Sequence, residues 1–235
     1  MIATLLLAVG QALISSRDIA FQVLVEHADS SIHIAELLER HSGATSRDNM
    51  RLAAELVYST VRRRATLDAV VAAHVRRPPE QVERNLWCLL RIGACQLILL
   101  ETPSHAAVHE TVETGRRCGN PRWTGFVNGT LRSIARTLET ATQETAPGAQ
   151  RIPVGCGEFI AIDKEIFPTP EEDMAGYLAA AFSFPRWMVE RWLSRWPLQR
   201  IAILAEWFNT APRMTMRANA LRGTREELQL SLIHI

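Results

Sequence analysis

Arginine is the residue type in this chain whose clustering could do chemistry. Of the 26 basic residues, 25 are Arg and only Lys164 is Lys. A planar guanidinium binds phosphate through two parallel hydrogen bonds, which an ammonium group does not offer. Residues 114–138 hold five Arg and no acidic residue, with Trp123 and Phe126 interleaved. Such a cluster is what neutralisation of a phosphate backbone needs.

A second group of arginines lies upstream, on the polar side of a predicted helix. For any single Arg, a solvated helix face is an equally good explanation, so the clustering carries the hypothesis of RNA binding. The net charge of +1 does not by itself indicate an anionic partner. Residues 16–140 and 181–235, however, are each net basic, and residues 141–180 are net acidic. The candidate RNA-binding residues are Arg47, Arg51, Arg62, Arg63, Arg116, Arg117, Arg122 and Arg132.

Two histidines have a spacing that can hold a metal ion. His105 and His109 are four residues apart, so a helix would place both on one face. Glu110 follows the second His instead of lying between the two, and no third ligand is apparent. We therefore expect surface imidazoles on a helix that Ser104 caps, and no zinc site.

The four cysteines lack the CxxC spacing of redox and metal motifs. Cys88 and Cys95 are seven residues apart in an apolar helical segment, which is about 10 Å along a helix and too far for a disulfide bond. We expect both to pack in the core as reduced thiols of a cytoplasmic protein. Cys156, in the segment VGCGEF, is expected to be exposed and incidental.

Two further features have a functional and a structural interpretation. The Trp and Met residues between Trp187 and Trp196 could stack on RNA bases, but their helical spacing is more typical of core packing, which we favour. Asn128, in the segment GFVNG, is expected to tie adjacent backbone and is not assigned a catalytic role.

The elements that must position these residues are predicted to be helices from residue 16 to residue 138. Residues 85–100 contain Arg91 as their one charge, which is typical of the buried central helix of an all-α domain. Gly93 in its middle indicates that a neighbouring helix approaches closely. The clearest amphipathic stripe, behind a possible cap at Ser46, comprises Ala53, Leu56, Val57, Thr60 and Val61.

The remainder of the chain is predicted to be a linker and a second piece. Residues 141–173 are rich in Thr, Pro, Gly and acid and predict a linker with a short strand at residues 158–163. Residues 174–229 predict a separate small piece with helices, a half-buried strand within residues 213–221, and a helix that starts at a Thr224–Glu227 capping box. A strand without a returning partner indicates a truncated α/β subdomain.

The two ends of the chain are set apart from the fold. The first sixteen residues carry no charge, and since a secretion signal would need a basic flank, residues 1–15 are expected to be an N-terminal extension. Residues 230–235, LSLIHI, look like the read-through of a sequencing adaptor and are expected to be an artefact.

Four segments in this order resemble the N-terminal NusB-like domain of the bacterial ribosomal RNA small-subunit methyltransferase B (Sun) family: SRDIAFQVL, RDNMRLAAELVYSTVRRRATLDAVV, LLRIGACQLILLETPSHAAVHETVE and GFVNGTLR. FSFPRWMVERW and EWFNTAPRMTMRANALRGTREEL resemble the lead-in to the catalytic domain of that family. The resemblance implies an all-α NusB-like bundle of six or seven helices over residues 16–140, followed by a linker and the truncated start of a small α/β subdomain.

The resemblance also implies a function. Family members transfer a methyl group from S-adenosylmethionine to carbon 5 of a cytosine in 16S ribosomal RNA, using a cysteine that follows proline. No cysteine here follows proline and no GxGxxG turn is present, so this chain alone is expected to bind RNA without a cofactor and without catalysis. The implied protein is cytoplasmic, with no membrane or DNA partner, and a monomer.

Two alternatives remain open at the level of sequence. One is a stand-alone NusB-type transcription antitermination factor, which binds RNA and has no catalytic domain. Such a factor should end near residue 140, so the Trp-rich residues beyond 181 favour the enzyme. The other is a helical adaptor that binds proteins.

Overall fold

Eleven α-helices and one two-stranded hairpin make up the part of the chain that the computed structural model describes, which is residues 14–43, 45–138, 148–155, 157–212 and 215–233. Short 3-10 turns lie at Pro79–Gln81 and Pro121–Trp123. The elements are α1 (Ser16–Asp29), α2 (Ile34–Arg40), α3 (Arg47–Arg62), α4 (Arg64–His74), α5 (Arg84–Ile98), α6 (Ser104–Cys118), α7 (Thr124–Thr137), β1 (Arg151–Gly155), β2 (Glu158–Ala161), α8 (Met174–Phe182), α9 (Arg186–Leu193), α10 (Leu198–Asn209) and α11 (Arg225–Ile233).

Local capping signals set the starts of the first helices. Ser15 and Asp18 form a reciprocal capping box at the start of α1. The hydroxyl of Ser46 accepts a hydrogen bond from the backbone N–H of Asn49 at the start of α3, which confirms the predicted cap. The buried stripe of α3 is the predicted one except for its last member, because Val61 is partly exposed.

Helix α5 is the centre of the bundle, as its apolar sequence predicts. Eleven of its residues between Leu86 and Ile98 are buried, and it packs against α1, α3, α4, α6 and α7. Gly93 faces Leu131 of α7 so closely that a Cβ atom on Gly93 would lie 2.4 Å from the Leu131 Cδ1 atom. The predicted close approach at Gly93 and the predicted all-α fold class are both confirmed.

Arg63 interrupts the helical path between α3 and α4 and is buried there. Its Nη2 group donates hydrogen bonds to the carbonyl oxygens of Pro153 in β1, at 2.5 Å, and of Ala181 in α8, at 3.1 Å. The hydroxyl group of Thr66, one turn further along the chain, also donates a hydrogen bond to the carbonyl oxygen of Ala181. The hairpin and α8 are therefore bonded directly to the helical bundle.

Helix α8 shares the hydrophobic core of the bundle. Tyr177, Leu178 and Ala181 are buried in the same cluster as Leu67 and Val70 of α4. The prediction that residues 174–229 form a separate piece is therefore wrong for α8. The sequence pattern could not show this, because the contacts join residues more than 100 positions apart.

The predicted linker contains a β-hairpin. The predicted strand forms over β2, and it pairs antiparallel with β1, which the sequence analysis did not predict. Ile152 and Phe159 are buried, and Gly157 turns the chain with a φ of +76°, a value that favours glycine. Cys156 lies outside the described residues, so its predicted exposure remains a prediction.

The last part of the chain differs from prediction in one element. Residues 215–219 form no strand, and the sheet of the described ranges consists of β1 and β2 without them. Met214 lies outside those ranges. The capping box is confirmed, because the Thr224 and Glu227 side chains each accept a hydrogen bond from the other residue's backbone N–H. Helix α11 then continues to Ile233.

No helix within the described ranges has both the length and the hydrophobicity needed to cross a membrane.

Replacing Arg63 with Ala tests the link between the bundle, the hairpin and α8. We expect Arg63→Ala to lower the free energy of unfolding by about 2–4 kcal/mol, because two buried carbonyls lose their charged donor. Urea unfolding followed by circular dichroism measures the change. The matched control is Arg64→Ala, since the Arg64 side chain is 68% exposed and should shift stability by less than about 0.5 kcal/mol. Equal effects of the two changes would contradict the assignment.

Candidate RNA-binding surface

Seven of the eight candidate arginines have solvent-accessible side chains, and Arg63 does not. Arg63 is 5% exposed, and its Nη2 group is bonded to carbonyl oxygens in the interior. It cannot contact phosphate without leaving those partners. The prediction of an RNA contact at Arg63 is therefore corrected to a structural role.

The α3 arginines lie on one face of their helix. At about 100° per residue, Arg47, Arg51 and Arg62 fall within about 60° of each other around the helix axis. The opposite face is buried against α1 and α5. None of the three makes an ion pair with a carboxylate in the described part of the chain, so their charges are available to an anion. The acidic residues of this helix are Asp48 and Glu55.

The arginines of residues 114–138 divide between the two ends of a helical hairpin. Helices α6 and α7 pack side by side and are joined by the second 3-10 turn. Arg116 and Arg117 lie in the last turn of α6, next to Arg122 in the 3-10 turn. Arg132 and Arg136 lie in the second half of α7, beside the start of α6. Because α6 is about 22 Å long, one compact cluster is not formed.

Two of the exposed arginines at the first end have partners. Arg116 makes a long ion pair with Glu113, at 3.4 Å. Arg117 donates from Nε to the Oδ2 of Asp18, at 2.9 Å, and from Nη2 to the Oδ1, at 3.0 Å. Arg122 has no side-chain partner among the described residues and is the freest cation at this end.

The Asp18–Arg117 pair joins α1 to α6. Thr114 also donates a hydrogen bond to Asp18, whose side chain is only 6% exposed. Burial by itself raises the pKa of Asp18, but the hydrogen bonds from Arg117 and Thr114 and the charge of Arg117 outweigh it, so the pKa is lower than usual. The same bond raises the pKa of Arg117. The main role of Arg117 is therefore to bond α6 to α1, although its side chain also reaches the solvent.

A cleft of about 470 Å³ lies at the other end of the hairpin. Side chains of both helices line it: His105 and His109 from α6, and Asn128, Arg132 and Arg136 from α7. Both imidazoles are exposed, as predicted. Within the described residues no group of three His, Cys, Asp or Glu side chains could hold a metal ion.

The structure does not give Asn128 the role that was predicted for it. Its side chain makes no hydrogen bond to any described residue, so it does not tie the adjacent backbone. It is half-buried and faces the cleft. The amide is therefore free to contact a ligand there.

The thiols of the core are unreactive. Cys88 and Cys95 are both buried and free, as predicted. Burial raises the pKa of Cys88 to about 11 and the pKa of Cys95 to about 12. Since the thiolate is the nucleophilic form, neither residue is suited to covalent catalysis.

The Trp and Met stripe is only partly core. Val189 is buried and Trp192 is half-buried, with its ring parallel to the ring of Phe208 at 6.1 Å between centroids. Trp187, however, is 62% exposed. The prediction of core packing is right for Trp192 and Trp196, which pack against the core cluster, and wrong for Trp187.

This geometry agrees with the comparison of the chain with known protein families. The NusB family matches residues 14–136, which are the helical bundle, and the family "Methyltr_RsmF/B-like, ferredoxin-like domain" matches residues 184–234. The chain belongs to the NusB family.

Relatives that match most of this chain are named as methyltransferases. The chain is 30% identical over 217 residues to "Probable ribosomal RNA small subunit methyltransferase B" of Bacillus subtilis, which covers 91% of this chain and 42% of that protein. It is 24% identical over 214 residues to "Ribosomal RNA small subunit methyltransferase B" of Klebsiella pneumoniae, covering 91% and 42%. The predicted family resemblance is confirmed, and the chain spans less than half the length of these relatives.

Sequence reasoning missed four residues of the cleft: His105, His109 and Asn128 were given other roles, and Arg136 was left out of the candidate set. A usable signal existed. His105 and His109 share one helix face by their spacing, and so do Arg132 and Arg136. An antiparallel pairing of the two consecutive helices would have placed the two pairs opposite each other.

The pKa of Asp18 makes the stability of the bundle depend on pH. A carboxyl group whose pKa is lower in the folded chain than in the unfolded chain, where it is about 3.9, stabilises the fold above that value. This stabilisation is lost as the pH falls through the folded pKa. We therefore expect Asp18→Asn to lower stability at pH 7 and to weaken the loss of stability between about pH 5 and pH 2. Urea unfolding at several pH values measures both effects.

The control for this prediction is Asp48→Asn. Asp48 also lies in the first turn of a helix, but it is exposed. The Asp48→Asn change should leave the loss of stability at low pH as it is in the parent chain. Parallel curves for the parent chain and Asp18→Asn would contradict the role given to Asp18.

Proposed function

We propose that this chain is the RNA-holding N-terminal part of an S-adenosylmethionine-dependent methyltransferase that modifies carbon 5 of a cytosine in 16S ribosomal RNA. The observation that carries the proposal is the set of exposed arginines without carboxylate partners on α3, the second 3-10 turn and α7. Unpaired guanidinium groups on rigid helices can neutralise phosphates without first breaking an ion pair.

We propose that the chemistry of methyl transfer belongs to a region that corresponds to the part of the relatives that this chain does not cover. The described cysteines support this division, because Cys88 and Cys95 are buried thiols with raised pKa values. We expect the chain alone to bind no S-adenosylmethionine and to give only background incorporation of labelled methyl into ribosomal RNA. The protein is proposed to act as a monomer in the cytoplasm, with neither a membrane nor DNA as a partner.

A stand-alone transcription antitermination factor is the second candidate function. The NusB match alone would suit it equally well. The continued match over residues 184–234 favours the methyltransferase, because that region lies beyond the NusB bundle.

The contribution of the unpaired arginines can be measured as a salt dependence. We expect the triple change Arg47→Gln, Arg51→Gln and Arg122→Gln to weaken binding of a structured 16S ribosomal RNA fragment. Each lost phosphate contact should reduce the slope of log affinity against log salt by about 0.7 to 0.9. Fluorescence anisotropy at several salt concentrations gives both quantities.

The matched control for this experiment removes arginines that are exposed but paired. Arg40 is bonded to Glu26 and Glu36, and Arg186 to Asp173 and Glu190. Arg40→Gln with Arg186→Gln should leave the salt slope nearly unchanged. The proposal fails if the parent chain does not bind the RNA, or if the control weakens binding as much as the triple change.

A further inference from the structure

The cleft between the first turns of α6 and the last turns of α7 differs from the other clefts in its charges. Arg132 and Arg136 make no hydrogen bond or ion pair with any described residue, and no carboxylate lines the space. Its volume of about 470 Å³ is within the range of small-ligand sites. Two guanidinium groups here face a space that no carboxylate of the described residues lines.

A larger cleft of the molecule shows the contrast. About 860 Å³ in volume, it lies between α1, α4 and α5. Its arginines have carboxylate partners: Arg64 and Arg91 pair with Asp68, and Arg84 pairs with Asp29. That cleft therefore offers little net attraction to an anion, whereas the α6–α7 cleft does.

The backbone at the start of α6 adds to the positive potential. The residue before the helix is Pro103, which provides no side-chain cap. The backbone N–H groups of Ser104 and His105 have no acceptor among the described residues. Uncapped N–H groups and the helix dipole both favour a negative group at this end.

We propose that the α6–α7 cleft binds a phosphate group of the RNA backbone. Arg132 and Arg136 bind its oxygens as charged donors, while His105, His109 and the Asn128 amide donate further hydrogen bonds. This assignment rests on the proposed RNA-binding function. A phosphate group bound in the cleft fixes one position of the RNA on the bundle. The same residues disfavour a zinc ion, because two guanidinium groups repel a cation and the described part of the chain supplies no third ligand.

The first test compares two pairs of arginine substitutions in the full chain. Arg132→Gln with Arg136→Gln removes the cleft charges. Arg191→Gln with Arg195→Gln is the matched control, since these arginines are also exposed and four residues apart, and their side chains have no partner among the described residues. We expect the cleft pair to weaken binding of a 16S ribosomal RNA fragment about tenfold and to reduce the salt slope by about 1.5, and the control pair to change affinity less than twofold. Circular dichroism verifies that each variant is folded.

The second test uses NMR and inorganic phosphate, which separates the cleft from RNA binding in general. Phosphate should shift the His105 and His109 imidazole signals and the Ser104 amide signal, and His105→Asn with His109→Asn should weaken RNA binding two- to fivefold. Zn²⁺ should not bind there with a defined stoichiometry.

The outcomes distinguish the two proposals. If the parent chain binds RNA but the cleft variants behave like the control, the cleft assignment is wrong and the proposed function stands. If the parent chain does not bind RNA, the proposed function fails, and RNA is excluded as the source of the phosphate even if free phosphate binds. Stoichiometric Zn²⁺ binding at the two histidines would overturn the assignment outright.

Discussion

The buried guanidinium of Arg63 is the contact on which the arrangement of the chain depends. It lies at the break between α3 and α4 and bonds to the backbone of β1 and of α8. Its Nε group has no hydrogen-bond partner among the described residues, and burial lowers the pKa of Arg63 to about 10. A cation held this way is costly to bury, and the carbonyl oxygens offset that cost only while the hairpin and α8 stay in place. The bundle and the following segment therefore constrain each other.

This constraint also determines which surfaces remain for RNA. Because α8 packs against α4, the candidate arginines that are exposed and lack partners lie on other parts of the bundle, namely α3, the second 3-10 turn and α7. The α6–α7 helical hairpin is itself held by two close contacts. Arg117 of α6 bonds to Asp18 of α1, and Leu131 of α7 packs on Gly93 of α5. Because these helices are already ordered, their backbone loses little conformational freedom when the charged side chains bind, which is what a positioning domain needs.

Much of the helical bundle could be predicted from the sequence, since its signals are local. The apolar run of α5, the Ser46 cap and the close approach at Gly93 each follow from residues near to one another. The burial of Arg63 could not be predicted, because its partners are 90 and 118 residues away. An arginine in a run of three looks the same in sequence whether it faces solvent or the core. The cleft was missed for a related reason, since it exists only after two helices pair.

The most direct measurement of where RNA lies is an NMR titration that follows the Nε–H signals of individual arginines as a 16S ribosomal RNA fragment is added to the chain. The signals of Arg51, Arg122 and Arg132 should shift or broaden, while those of Arg63 and Arg191 stay in place. Shifts confined to Arg191 and its neighbours on α9, with Arg51, Arg122 and Arg132 unaffected, would contradict the account.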